Sequence, residues 1–374
     1  PDGSKIVYGD SEARIFVVVS DGGNRRQVAD DRGFPQHDYS WSPDSRWLAY
    51  SMEDENGYRS LHIWDSDSGK ARRITGEMFS EYNPVFAPGG GQLYFLSDRM
   101  FAPQIDLLEW NYANNRQTGV YAMLLTPSAE NPFAPRNQEG LPEKESDDSD
   151  KKPDAGAPKV EIEFDGLASR VARAPIDFDN LGGLSVTAEH LLFVGGPAFF
   201  YGRDIEPGTQ LRAYSFEERE VFNIADKVDG YALATGANQV VVIQEGALNR
   251  FDIKKDEQQA KKVDLESLTA RRVRAAEYEQ IFDEVWRRFR DHFYVENMHG
   301  YDWDALRDRY RPLLRHVAHR ADLNYLIGEM IAELNVGHAY IAGGDIAATE
   351  RSSDALLGAC LLYTSDAADE YNPV

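Results

Sequence analysis

The sequence predicts a mainly β chain: β-propeller blades, an incomplete set, followed by a small α-helical core module. Two observations predict it. A turn-and-strand unit, led by proline, recurs through the first part of the chain. From about Glu277 the apolar residues stop alternating and fall at helical spacing.

The repeat is seen in Pro1-Asp2-Gly3-Ser4-Lys5-Ile6-Val7-Tyr8, Ser42-Pro43-Asp44-Ser45-Arg46-Trp47-Leu48-Ala49-Tyr50 and Ala87-Pro88-Gly89-Gly90-Gly91-Gln92-Leu93-Tyr94-Phe95, whose turn prolines stand 42 and 45 residues apart. A period of about 40–50 residues with several short strands per unit is a propeller signature. In the second unit, residues 39–42 alternate apolar and polar, as an inner strand does. Pro43-Asp44 sets the turn, because proline fixes φ and aspartate bonds its own backbone. Residues 47–50 and 60–65 supply the next two strands, and residues 71–75 are polar enough for an exposed edge. Residues 190–194, 210–214 and 220–224 fit a later blade, and 231–234, 239–243, 247–251 and 260–263 another. The period allows about five blades before residue 270, so 1–270 is read as the C-terminal part of a propeller, with upstream blades outside this sequence. A stack of β-sandwich domains is the competing architecture.

Residues 127–158 break the rhythm with repeated prolines and the charged run Glu143-Lys144-Glu145-Ser146-Asp147-Asp148-Ser149-Asp150-Lys151-Lys152. Such a stretch cannot bury enough apolar surface to offset chain entropy, so it reads as a disordered, solvated insertion in a blade loop.

In the module at 275–345, Tyr278, Ile281, Phe282, Val285, Phe289 and Phe293 share one helix face. A second helix follows Asp302, its N-cap, using Trp303, Leu306, Tyr310, Leu313 and Leu314, and Pro312 shortens it. A third begins near Asp322 with Leu323, Leu326, Ile327, Met330, Ile331 and Leu334. Asn335-Val336-Gly337 ends it, the glycine being suited to a left-handed cap, and a short strand at 338–342 follows.

Composition bounds the function. A net charge of −23 argues against nucleic acid and anionic membrane surfaces, which need a basic face, and fits a soluble protein. No apolar run reaches the length of a membrane span, so no membrane insertion is expected. Cys360 is the single cysteine, so no internal disulfide forms. No cofactor is implied: no glycine loop cradles phosphate, and Gly89-Gly90-Gly91 is a turn.

The helical part carries a specific resemblance. Tyr301-Asp302-Trp303, Tyr310-Arg311-Pro312-Leu313-Leu314, Arg320-Ala321-Asp322-Leu323-Asn324-Tyr325-Leu326-Ile327-Gly328-Glu329-Met330 and Glu333-Leu334-Asn335-Val336-Gly337-His338-Ala339-Tyr340 resemble the first catalytic-core module of the tricorn protease family, peptidases related to tail-specific proteases. The propeller resembles that family more loosely, as does the stretch Val160-Glu161-Ile162-Glu163-Phe164-Asp165-Gly166-Leu167. The resemblance implies propellers, a helical module, a PDZ domain and a second core module in that order. It implies a serine endopeptidase acting on unfolded peptides, with the propeller as substrate filter and the intact protein a homo-oligomer. It allows a cytoplasmic location, with export in bacterial members as the alternative. It also makes His338 the general base for a serine that the later module supplies. An imidazole that titrates near neutrality can take the proton of a poorly nucleophilic hydroxyl. Some members carry a serine just before this histidine; Gly337 stands there instead. The serine nucleophile, its acidic partner and the oxyanion donors have no matching motif here, so the chain alone is expected to be inactive.

The other histidines read more plainly. His316 and His319 are helix-end cations without a ligand set for metal, and His292 and His299 cap or pack around a loop. Asp54, Glu55, Asp65 and Asp67 are solvated blade-loop carboxylates, calcium being the alternative use. Residues 346–359 read as the start of a linker to a PDZ domain, and 360–374 as a foreign tail resembling sequencing-adapter read-through. The rival function is a non-catalytic propeller scaffold for protein partners, which has no need of the helical appendix.

Overall fold

The computed structural model describes residues 1–30, 38–101, 104–105, 112–113, 115–136, 157–197, 208–234, 238–256 and 260–346. Most of the charged insertion, most of the predicted linker and the whole predicted tail with Cys360 lie outside them. The chain divides into two units, Pro1–Thr269 and Ala270–Val374.

The first unit is built from antiparallel meanders. β1 (Lys5–Gly9), β2 (Arg14–Val19) and β3 (Arg26–Asp30) form a three-stranded sheet. β4 (Tyr39–Trp41), β5 (Trp47–Glu53), β6 (Arg59–Asp65) and β7 (Ala71–Arg73) form the second. β8 (Glu81–Phe86) and β9 (Gln92–Asp98) open the third. A small hairpin, β10 (Gln104–Ile105) with β11 (Tyr112–Ala113), comes before β12 (Thr118–Leu124) and β13 (Val171–Arg173) complete the third sheet. The insertion therefore lies between the last two strands of one blade. β14 (Asn180–Val186), β15 (His190–Gly196), β16 (Gln210–Ser215) and β17 (Val221–Asp226) form the fourth sheet. β18 (Gly230–Leu233), β19 (Gln239–Gln244), β20 (Ala247–Asp252) and β21 (Lys261–Lys262) form the fifth.

Each sheet packs on the next because its central strands are apolar on both faces. Leu48 and Tyr50 of β5 join Ile15 and Val17 of the first blade, while Trp47 and Ala49 join Leu93 and Phe95 of the third. Tyr94 and Leu96, one residue out of phase, turn instead to Leu191 and Phe193 of the fourth. Leu192 then packs with Val240 and Val242 of the fifth. Period-2 alternation thus sends successive side chains to opposite neighbours, which is how blades stack.

Two further devices join the blades. Their first strands are cross-linked: Phe86 N donates to Ser40 Oγ at 3.1 Å, Asn83 N to Asp38 Oδ2 at 3.0 Å, and Leu184 N to Asn83 Oδ1 at 2.7 Å. Asn83 can do this because it sits in a bulge with φ of 53°. The segment after the insertion also straps two blades. Val160 N donates to Asp44 Oδ2 at 2.8 Å, and Trp47 Nε1 donates to the Val160 carbonyl at 3.1 Å. Gly90, at φ of 75°, leaves room for this strap, since a Cβ there would meet Val160 Cγ2 at 3.0 Å. Asp44 is itself oriented by the turn, accepting from Ser42 Oγ at 2.5 Å.

The second unit holds α1 (Arg274–His292), α2 (Trp303–Tyr310) and α3 (Arg320–Ala332) around one core. α1 starts earlier than its apolar pattern, and Trp286 is a buried member the pattern reading omitted. Trp286 Nε1 donates to the Trp303 carbonyl at 3.0 Å and Trp303 Nε1 to the Trp286 carbonyl at 2.9 Å, a reciprocal clasp between α1 and α2. Asp302 caps α2 as read, accepting from Ala305 N at 2.9 Å. Pro312 ends α2 as read: the chain passes into a 3-10 turn, Arg311–His316, and Leu313 is left exposed. No described helix is long and apolar enough to cross a membrane.

Candidate catalytic site around His338

His338 follows α3 directly. Leu334 is buried, and Val336, Ala339 and Ile341 pack against the helical core. Gly337, His338 and Tyr340 face outward between these anchors. The imidazole is exposed and meets the Tyr340 ring edge-on, centroids 6.4 Å apart at 79°. No described residue hydrogen-bonds to it.

The expected strand at 338–342 does not form; the segment is irregular. Asn335 and His338 adopt left-handed φ values of 50° and 59°, outside the extended range of a regular strand, and the described part of this unit offers no strand to pair with. The left-handed residue that ends the helix is therefore Asn335, not Gly337. Asparagine tolerates that region because its short polar side chain bonds locally. A non-glycine residue at φ of 59° stores strain, which persists only when the surroundings hold it. Here the holding is visible. Asn324 Nδ2 of α3 donates to the Gly343 carbonyl at 2.9 Å, and Arg320 Nε donates to Asn324 Oδ1 at 2.9 Å. Arg272 pairs with Asp345 at 3.3 Å. These pins lie C-terminal to the imidazole, and on its N-terminal side Leu334 and Val336 tie the loop to the core.

Residues 270–346 contain no serine, threonine or cysteine. The described part of the helical unit therefore carries the His338 imidazole without a serine, threonine or cysteine. Gly337 leaves open space, with nothing within 4 Å of where a Cβ would stand.

His299, His316 and His319 of this unit have partners, whereas His292, the last residue of α1, is exposed. His319 is the N-cap of α3, Nδ1 accepting from Asp322 N at 3.3 Å, which corrects its reading as a helix-end cation. Its lone pair satisfies an orphan N–H at the start of the helix. His316 Nε2 accepts from Arg315 Nε at 2.9 Å. His299 packs against Phe293 and Tyr294, and its Nε2 lies 2.6 Å from the Tyr294 hydroxyl. It sits in a run of three left-handed residues, Met298, His299 and Gly300, that the sequence did not signal.

In the blades, Asp54 and Asp65 are held by arginines. Arg73 Nη2 lies 2.7 Å from Asp54, and Arg46 grips Asp65 through two contacts of 3.1 Å. Those bonds hold the Asp65 carboxyl at about 2, Arg46 contributing most. Among the described residues, no group of three or more His, Cys, Asp or Glu could hold a metal ion.

Stacked meanders of three and four strands, followed by a three-helix unit whose last helix leads to an exposed imidazole, define a propeller protein with a helical module. Residues 1–254 match the family model of the tricorn protease second beta propeller domain, and residues 274–332 that of the tricorn protease C1 domain. The chain belongs to the tricorn protease family. Tricorn protease homolog 1 of Streptomyces coelicolor is 30% identical over 383 residues, covering 98% of this chain and 36% of the relative. The tricorn protease of Thermoplasma volcanium is 23% identical over 355 residues, covering 92% of this chain and 33% of the relative. The crystal structure of the tricorn protease superimposes with a TM-score of 0.73 at 21% identity, over 91% of this chain and 33% of that one, a likeness of fold. The chain thus spans about a third of the length of these relatives.

Proposed function

We propose that the intact protein is a serine endopeptidase acting on unfolded peptides and that His338 is its general base. The carrying observation is the outward imidazole, fixed by buried flanks within a stretch, residues 270–346, that carries no serine, threonine or cysteine. Its neutral nitrogen would take the proton of a serine supplied by a later module as that oxygen attacks the scissile carbonyl, then return it to the leaving amine. An acidic residue on the other imidazole N–H and donors for the oxyanion would come from the same later module. The C1 match ends before His338, so the role rests on the motif around it and on this geometry.

The propeller is the substrate filter in this reading, admitting extended chains and excluding folded ones. The intact protein acts as a homo-oligomer in the cytoplasm, and the present chain alone is inactive. Peptide hydrolysis by the full-length protein and its His338→Ala variant tests the proposal. A loss of at least ~10³-fold in kcat is expected, the scale of removing a catalytic base. Unchanged turnover rules out the role, and a full-length protein without peptidase activity leaves the scaffold reading in its place.

A further inference from the structure

The seam between the fourth and fifth blades is apolar along its core and ends on an imidazole. Leu192 of β15 packs with Val240 and Val242 of β19, and Val194 lies against the same core. His190, the first residue of β15, continues that row by strand alternation. Its ring meets Phe222 of β17 edge-on, with centroids 5.7 Å apart at 87°. Phe222 belongs to the seam core, and so does Ile253, which follows β20.

His190 is only 8% exposed, and its Nδ1 is fully buried without a hydrogen-bond partner. A neutral ring tolerates this, because it can carry its one proton on Nε2 and leave Nδ1 as a bare lone pair. An imidazolium does not. Its Nδ1 becomes a charged donor with neither an acceptor nor water beside it, and burying such a group is costly.

The residue lines a recess of about 380 Å³ between the two blades, which gives protons a route to the ring. The charged groups around that recess come from every element that borders it. Glu189 belongs to the β14–β15 turn, Glu217 and Glu218 to the β16–β17 turn, and Lys254 and Lys255 to the segment after β20. Burial lowers the ring below its ordinary value of 6.5, and it outweighs Glu189 and Glu218, which act in the opposite sense.

The polar ties that cross the seam at this end are exposed. Asn238 Nδ2 donates to Glu189 Oε2 at 3.4 Å, and Lys255 pairs with Glu220. Exposed pairs contribute little to stability, so closure here leans on the apolar contacts around His190.

We propose that His190 is an acid-sensitive latch on this seam: neutral, it holds the fourth and fifth blades together, and as imidazolium it releases them locally. The closed seam takes up the proton less readily than an opened one. Closure is therefore complete above 6.5 and weakens as pH falls below that value. The latch does not depend on whether the intact protein is a peptidase.

Amide hydrogen exchange of the 374-residue chain at about pH 7.5 and about pH 5.5, corrected for intrinsic rates, tests it. In the parent, protection of β15, β19 and β20 should fall by at least ~3-fold at the lower pH, a full unit of lowering being worth ~10-fold. His190→Leu keeps apolar volume at the seam and cannot take a proton, so protection in those strands should stay level. Exchange at the His190 Cε1–H across pH reads the ring's own titration in the parent, and it decides the question if the leucine variant does not fold. A midpoint below 6.5 supports the latch. The proposal is overturned if the ring titrates at 6.5 or above, or if parent and variant lose the same protection.

Discussion

At His338 the backbone does the positioning. Val336 and Ala339 are drawn into the core on either side, and the left-handed φ at 338 turns the ring outward. Gly337 beside it is open, so Gly337→Ser should fold with stability changed by less than ~0.5 kcal/mol in urea unfolding, as for an uncrowded surface site. In the full-length protein that hydroxyl should raise kcat, and a fall would show that the glycine is required. The motif leading to His338 was legible in the sequence. Its conformation was not, because helix-end turns depend on which flanking side chains the core accepts. Asp65 supplies a residue-scale pH test. Its carboxyl is held near 2 in the fold against an ordinary value of 3.8, Arg46 contributing most. A depressed carboxylate stabilises above its unfolded value and loses that stabilisation as pH falls toward its folded value. At pH 6 the parent should exceed Asp65→Asn by about 2 kcal/mol, and at pH 3 by about half of that. A gap that stays level with pH would count against the Arg46–Asp65 pair as its source.

Among the elements, the helices were the more legible. Asp302 as cap and Pro312 as terminator follow from local chemistry alone, and both act as read. Asp302→Ala should cost about 1 kcal/mol in thermal or urea unfolding, since Ala305 N loses its acceptor. The Trp286–Trp303 clasp was not legible, because it joins two helices through side chain and carbonyl and leaves no periodic trace. Trp303→Phe should cost about 1–3 kcal/mol, as it leaves the buried Trp286 carbonyl without its indole donor. The predicted strand at 338–342 failed for a related reason. A strand exists only where a neighbour completes its ladder, and the described helical unit supplies none.

For the propeller as a whole, alternation along β5, β9 and β15 carries the architecture, since each strand serves two cores. The proline-led turns made the earlier blades visible, whereas β13 was missed because the insertion separates it from β12. The strap at Val160 is a long-range tie across that gap. Val160→Ala removes two buried methyl groups from the seam between the second and third blades and should lower stability by about 2 kcal/mol, read as a reduced urea midpoint. An unchanged midpoint would mean that the seam holds without the strap.

Local chemistry in the sequence was enough to establish the alternating strands, the turn residues, the cap at Asp302, the stop at Pro312 and the motif that ends in His338. These depend on nearest neighbours along the chain. The fold alone decided which blade each strand face meets and which carbonyls the two tryptophans find. Those outcomes join residues far apart in the chain, as when Tyr94 and Tyr214 enter one core, and burial gives them their consequence by removing apolar surface from water.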